Sequence, residues 1–365
     1  MTQHNEHWMS TPLTKLLGID VPIIQGPLGG FSTEHLAAAV SNLGGLGSYG
    51  AHGLAPDAIA GVVSTIRSLT TKPFAINLWV SMEDADARAS GEREFQKALQ
   101  TLKPFLNEIG APLPAYQPFT PVSFEAQARA VLDAHPPVFS FIYGIPPREI
   151  LDECRAQKIL TIGTATTVDE AIAIEQAGAD VVVASGFEAG GHRGSFLRSA
   201  EESLTGTFTL VPQVARAVAI PVVAAGGIAD ARGIVAALDL GASGVQIGTA
   251  FLATEESGAS ALHRNALLSG DVRTALTKGF TGRLARGIRN RLMDAVNALD
   301  ATVLPYPLQR QLVRNLVVPA AKAERADLLQ LWSGQNASLL KHRNVDALMR
   351  DLIGGVSAIL ENRAK

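Results

Sequence analysis

Short apolar runs alternate with amphipathic stretches along most of this chain. The runs fall at residues 21–25, 45–49, 74–80, 137–142, 159–163, 180–184, 221–225 and 244–248. Several, such as Asp180-Val181-Val182-Val183-Ala184, are apolar almost throughout, as strands buried on both faces must be. Between them, residues 32–42, 56–68, 147–157, 167–177, 210–219 and 230–240 carry apolar side chains at helical spacing. Thr167 and Glu170 have capping-box spacing, and Gly178 stands where a helix-ending glycine belongs. Strand–helix alternation implies parallel pairing through right-handed crossovers. About eight such units predict an α/β fold of the (β/α)8 TIM-barrel type. A doubly wound open sheet is the alternative, because a strand count does not show closure.

Two segments break the rhythm. Residues 81–135 are long and partly polar, with Pro104, Pro112, Pro114, Pro118 and Pro121, and predict a helix, an irregular loop and a second helix. Residues 254–336 follow the eighth strand and predict helices at 259–268, 271–278, 283–299, 306–314 and 319–331, a helical insertion before a last barrel helix at 345–362. The expected organisation is a barrel over 12–253, the insertion over 254–336, and a C-terminal helix over 337–365 that returns to the barrel.

Composition narrows the class. In 365 residues, 47% are apolar, enough for a substantial core and too many for a disordered chain. A net charge of −3 gives no basic surface for nucleic acid. Cys154 is the only cysteine, so no intramolecular disulfide can form and a reducing compartment is expected. The stretch from Met1 to Trp8 has no basic region followed by an apolar one, so no secretory leader is expected there. No apolar run reaches the roughly 20 residues that span a bilayer. These points lead to the expectation of a cytoplasmic protein.

The chemistry concentrates in Gly186-Phe187-Glu188-Ala189-Gly190-Gly191-His192-Arg193-Gly194-Ser195-Phe196, directly after an apolar strand. Glycines let backbone approach a flat ligand, and a histidine at a strand's C-terminal end stands where barrel active sites lie. Glu188 is a further carboxylate in that loop, with a surface role as its alternative. Two more glycine turns, Gly226-Gly227 and Gln246-Ile247-Gly248-Thr249, end the seventh and eighth strands, where barrels commonly hold phosphate. Gln25-Gly26-Pro27-Leu28-Gly29-Gly30 ends the first strand and offers rigid backbone to a planar ring. Asn77 is a lone amide inside an apolar strand, to be satisfied by a ligand or by neighbouring backbone. Together these features predict an enzyme with a phosphate-bearing cofactor at the strand ends. Gly45-Leu46-Gly47-Ser48-Tyr49-Gly50 matches G-x-G-x-x-G, but it lies within a strand and lacks the downstream acid, so dinucleotide binding is not expected. The remaining histidines (His4, His7, His35, His52, His135, His263 and His342) form no HExxH pair, and no metal site is expected. Ser195 is not flanked as a nucleophile elbow. Arg283, Arg286, Arg289 and Arg291 fall largely along one side of the helix predicted there, a solvated or interface face, with a specific anion site as the alternative.

These motifs together resemble the nitronate monooxygenases, formerly called 2-nitropropane dioxygenases, of the FMN-dependent barrel type. The likeness covers nearly the whole chain. It rests on 186–196, 22–30, Gly163-Thr164-Ala165-Thr166-Thr167, 224–228 and 246–249, and continues through Phe280-Thr281-Gly282-Arg283, Tyr306-Pro307 and Trp332-Ser333-Gly334-Gln335. The resemblance implies FMN across the C-terminal mouth of the barrel, with Gly26, Pro27 and Leu28 at the ring and Asn77 binding the flavin. It implies that Ser185, Gly190, Gly191, Gly227, Gln246, Ile247, Gly248 and Thr249 hold the remainder, and that His192 is the catalytic base. The implied reaction is oxidation of an alkyl nitronate, or of a nitroalkane, with O2 to a carbonyl compound and nitrite. Gly26 and Leu28 stand where Ala and Met are common in the family, and Ser185 where many members carry a flavin-contacting Gln. These departures bear on substrate preference and flavin potential. FMN-dependent NAD(P)H enoyl-ACP reductases carry a related Gly-Gly-His loop and are the alternative. Expected partners are a small-molecule substrate and O2, with a homo-oligomer open, and neither nucleic acid nor membrane.

Overall fold

The computed structural model describes residues 7–119 and 122–365. The reading of the first residues, His4 and Pro121 therefore lie outside the described residues. In chain order the strands are β1 Ile23–Gln25, β2 Gly47–Gly50, β3 Phe74–Trp79, β4 Val138–Ile142, β5 Leu160–Ala165, β6 Val181–Ser185, β7 Gly191–His192, β8 Val222–Ala225, β9 Gly244–Ile247, β10 Thr274–Thr277 and β11 Ala285–Ile288. Eight of them form one parallel sheet in the order β1-β9-β8-β6-β5-β4-β3-β2. Its two ends meet. Ile24 bridges Leu46 just before β2, with Leu46 N donating to Ile23 O and Gln25 N donating to Leu46 O, each at 2.9 Å. The sheet is thus a closed barrel, and the open-sheet alternative is excluded.

Each strand's two-residue period divides its side chains between two cores. Val181 and Val183 of β6 point into the barrel with Ile24, Leu46, Ile162 and Val223, while Val182 and Ala184 join the shell under the helices. Leu13 and Leu17 of the helix Pro12–Leu17 plug the interior from its N-terminal end. Each fully buried leucine or valine of this kind stabilises the fold by about 1.5–3 kcal/mol. The six predicted crossover helices are present with small shifts at their ends. At the start of Val168–Gln176 only half of the capping box forms. Thr167 accepts from Glu170 N, but the Glu170 carboxylate turns away to Thr166 N and Oγ1 and to Phe196 N, at 2.6–2.7 Å. That buried carboxylate ties the loop after His192 to β5.

The excursion after β3 contains the helices Glu92–Glu108 and Phe124–Ala134, as the sequence predicts. The insertion after β9 differs from its all-helical prediction. Residues 271–278 hold β10, and 283–299 hold β11 followed by the short helix Arg291–Val296. β10 pairs antiparallel with β11, and β11 pairs with β7, placing Ala285 opposite His192. Gly282, in the connection between β10 and β11, takes φ +97°, and a Cβ there would come 2.4 Å from Tyr306 N. Sheet pairing then outweighs local propensity. The arginine face is also revised, because Arg283 and Arg286 are buried rather than solvated. The helix predicted at 306–314 runs on as Leu308–Lys322, and only the 3-10 turn Ala326–Leu328 remains of the last one. Excursion and insertion share one core, including Phe95, Leu102, Phe280, Leu312, Leu316 and Trp332, which forms a roof over the barrel's C-terminal mouth. The last helix, Val345–Arg363, packs back on the barrel. No helix among the described residues is long and apolar enough to cross a membrane.

Candidate active site

Between barrel mouth and roof lies a cavity of ≈ 540 Å³. Gly26, Pro27 and Leu28 after β1, Asn77 of β3, Ser185 of β6, Gly190, Gly191 and His192 beyond it, Gly227 after β8, and Gln246, Gly248 and Thr249 at β9 all line it. Ile247 does not. Its side chain is in the shell core, and its contribution is a carbonyl that accepts from Gly26 N at 2.8 Å. Asn77 is satisfied by a side chain rather than backbone, with Nδ2 donating to Ser140 Oγ at 3.0 Å. The Gly45–Gly50 run is largely β2 itself, and a Cβ at Gly47 would lie 1.8 Å from Ala37 O, so packing explains that glycine.

His192 stands on β7, held by β11. Its Nε2 lies 2.9 Å from Thr281 Oγ1, and Nδ1 has no hydrogen-bond partner among the described residues. Thr281 Oγ1 also donates to Arg283 O at 3.2 Å. With that proton so used, the hydroxyl accepts from Nε2–H, which leaves the Nδ1 lone pair free. Trp79 and Trp332 pack edgewise on the imidazole, both at 5.2 Å between centroids. Burial pushes its pKa down to about 3, with further lowering from Arg283, His52 and Arg310, so the ring is neutral in ordinary buffers.

The surrounding loop is braced, not mobile by composition alone. Arg193 is 1% exposed and donates to Gly186 O at 2.7 Å and Ser185 O at 2.8 Å. Arg286 Nε donates to Phe187 O at 2.9 Å. Glu188 accepts from Thr207 N and Oγ1 at 2.9–3.0 Å, which makes it a brace for the same loop. Ser195 Oγ bonds Thr166 Oγ1 at 2.8 Å, with no role at the cavity.

Sequence reasoning missed several cavity residues. His52 stacks flat on Trp79 at 3.9 Å, and burial, then Arg310 and Arg283, lower its pKa to about 3. Tyr143, Tyr306, Thr281 and Trp332 also line the wall. His52, Trp79 and Tyr143 lie at or just beyond the C-terminal ends of barrel strands, a positional signal available in the sequence. The other three come from the insertion, whose packing no periodicity reveals. Among the described residues no group of three His, Cys, Asp or Glu side chains is gathered in a metal-binding arrangement.

A closed barrel with a glycine-bordered cavity and a neutral histidine at its C-terminal mouth defines a cofactor-using barrel enzyme. Residues 10–355 match the family model described as nitronate monooxygenase. A probable nitronate monooxygenase of Staphylococcus haemolyticus is 41% identical over 97% of this chain and 99% of its own length. One from Staphylococcus aureus is 38% identical over the same shares. Among solved structures, nitroalkane oxidase from Streptomyces ansochromogenes superposes with a TM-score of 0.87 at 36% identity, covering 97% of this chain and 100% of that one. FabK from Thermotoga maritima gives 0.75 at 28% identity, over 97% and 98%. The chain belongs to the nitronate monooxygenase family, whose members are flavin-dependent oxidoreductases.

Proposed function

We propose that the cavity binds FMN and that this enzyme oxidises alkyl nitronates with O2, giving a carbonyl compound and nitrite. His192 is the catalytic base when a neutral nitroalkane is offered. The observation that carries this reading is the neutral His192, with Nε2 engaged by Thr281 and Nδ1 free, on the wall of a glycine-bordered cavity.

The residues fit the cofactor. A Cβ at Gly190 would come 2.5 Å from Gly334 N, and Gly226 and Gly227 take φ of +108° and +69°, so these three positions on the cavity border favour glycine. The amides of Gly227 and Gly248 donate to no partner among the described residues and are available to a phosphate. Gly248 leads into the short helix Thr249–Leu252, the usual position of a barrel's phosphate site. Bound FMN would supply the electron acceptor and the centre that meets O2. Residues 12–253 are, in this reading, the FMN barrel, 254–336 the insertion that roofs it, and 337–365 the returning helix. The lone Cys154 accords with a cytoplasmic location.

The protein's own contribution is position, charge and a base. Arg310 on the wall and Arg283 behind it favour an anionic substrate. A histidine held near 3 is a weak base toward a neutral carbon acid, because proton transfer is most efficient when the base's pKa is near the working pH. Together with Arg310 on the wall, this direction of shift favours the preformed nitronate as substrate. His192→Asn should lower kcat/KM for a neutral nitroalkane on the order of 100-fold, with a much smaller effect on the nitronate. Equal losses on both forms would remove the base assignment.

A further inference from the structure

We propose that Arg283 is a specificity-determining cation of this site, acting with Arg310 on the wall and selecting an anionic nitronate over the neutral nitroalkane from one layer behind the cavity wall. The inference rests on the function proposed above. Arg283 is 8% exposed and does not itself line the cavity. Three of its guanidinium N–H groups are engaged by the start of the excursion. Nε donates to Asp84 Oδ1 at 2.8 Å, Nη1 to Ser81 O at 2.9 Å and Nη2 to Ser81 Oγ at 3.1 Å. Aromatic rings flank the group, with its Cζ 4.3 Å from the Tyr143 centroid, 4.5 Å from Tyr306 and 5.9 Å from Trp79. Those three rings are cavity wall. Asp84 is locked in turn, with Oδ2 accepting from Tyr306 N and its own N–H donating to Tyr306 O, both at 3.0 Å.

This arrangement places a fixed positive charge behind an aromatic wall. The opposing carboxylate has a side chain 33% exposed and, like Arg283, is not part of the wall. Water screens Asp84, while the rings shield the guanidinium, so the pair presents a net positive field to the cavity. The Arg283 backbone also brackets Thr281 Oγ1, the partner of His192. The charged or titratable groups acting on the imidazole are Arg283, His52 and Arg310. A nearby cation has opposite consequences for the two substrates. It attracts a nitronate, and it disfavours the imidazolium that forms when His192 takes a proton from a nitroalkane. A brace without electrostatic function would affect both alike.

The test compares flavin-loaded wild type with Arg283→Gln and Arg283→Lys, using propane-2-nitronate and 2-nitropropane. Gln should raise KM for the nitronate on the order of tenfold and leave its kcat within about threefold. It should not lower kcat on 2-nitropropane, and Lys should restore most of the nitronate affinity. Nitrate, a planar inert anion, gives a readout without turnover. It should raise the thermal midpoint of wild type and Arg283→Lys but not of Arg283→Gln. If wild type oxidises no nitronate while nitrate binding still depends on Arg283, the functional reading fails, the selection of nitronate falls with it, and only the anion-attracting role of Arg283 stands. Should Arg283→Gln not fold, Asp84→Asn removes the opposing charge and should lower nitronate KM about threefold. A fall in kcat on both substrates with unchanged KM, nitrate stabilisation that survives Arg283→Gln, or a raised KM in Asp84→Asn would each overturn the proposal.

Discussion

Thr281→Val isolates the support of the base from the base itself. Valine keeps the shape of a side chain that is 1% exposed, so no cavity forms. What disappears is the hydroxyl, 2.9 Å from His192 Nε2, 3.2 Å from Arg283 O and 3.4 Å from Arg283 N. One lost buried hydrogen bond costs about 1 kcal/mol, and a carbonyl left unpaired adds about 1–3 kcal/mol. A total near 2–4 kcal/mol corresponds to a drop of about 3–5 °C in Tm for a chain of this length. The imidazole then loses the contact that fixes its tautomer. Loss of 1.4–2.8 kcal/mol of positioning is about 10- to 100-fold in rate. That loss should fall on kcat/KM for 2-nitropropane, where a proton must reach Nδ1. Oxidation of propane-2-nitronate, which needs no proton transfer, should change by less than about threefold. Steady-state oxygen uptake with both substrates provides the comparison. Equal loss on the two, or unchanged nitroalkane activity, would refute the assignment of Thr281 as the orienting group.

Two further expectations follow from the same geometry. His52 and His192 have folded pKa values of about 3, against about 6.5 in an unfolded chain. The folded state binds fewer protons below the unfolded value, so this stability is complete above pH 6.5 and is lost as pH falls toward 3. At pH 5 each histidine costs about 2 kcal/mol; urea unfolding of the flavin-free protein should show the loss, His52→Gln should recover about half of it, and a flat profile would contradict the burial argument. Gly190→Ala would push a methyl to 2.5 Å from Gly334 N and 2.6 Å from Ser333 C, both backbone atoms that cannot step aside. Flavin fluorescence on dilution should show release at least about tenfold weaker in affinity, and wild-type retention would show that this glycine contact is not required.

The eight barrel strands were legible because strands buried on both faces carry their signal in composition alone, as at Val181-Val182-Val183. The positions of His192 and the three glycine turns followed from strand ends. The insertion was illegible for a different reason. Thr274–Thr277 and Ala285–Ile288 are strands only because they pair with each other and with β7, a contact across more than eighty residues. Arg283 read as surface because a buried arginine is recognisable only by its partners, and Asp84, Ser81, Tyr143 and Tyr306 come from three distant segments. Ile247 was counted with its neighbours in the glycine turn, yet strand alternation turns its side chain outward to the shell.

The central claim is that this cavity holds FMN and passes nitronate electrons to it. The most direct test is anaerobic: record the visible spectrum of the purified protein, then add propionate-3-nitronate and, separately, NADPH. The account requires a flavin spectrum that is reduced by the nitronate and stays oxidised with NADPH. Full bleaching by NADPH alone would identify a reductase, and no flavin spectrum even after added FMN would contradict the cofactor assignment itself.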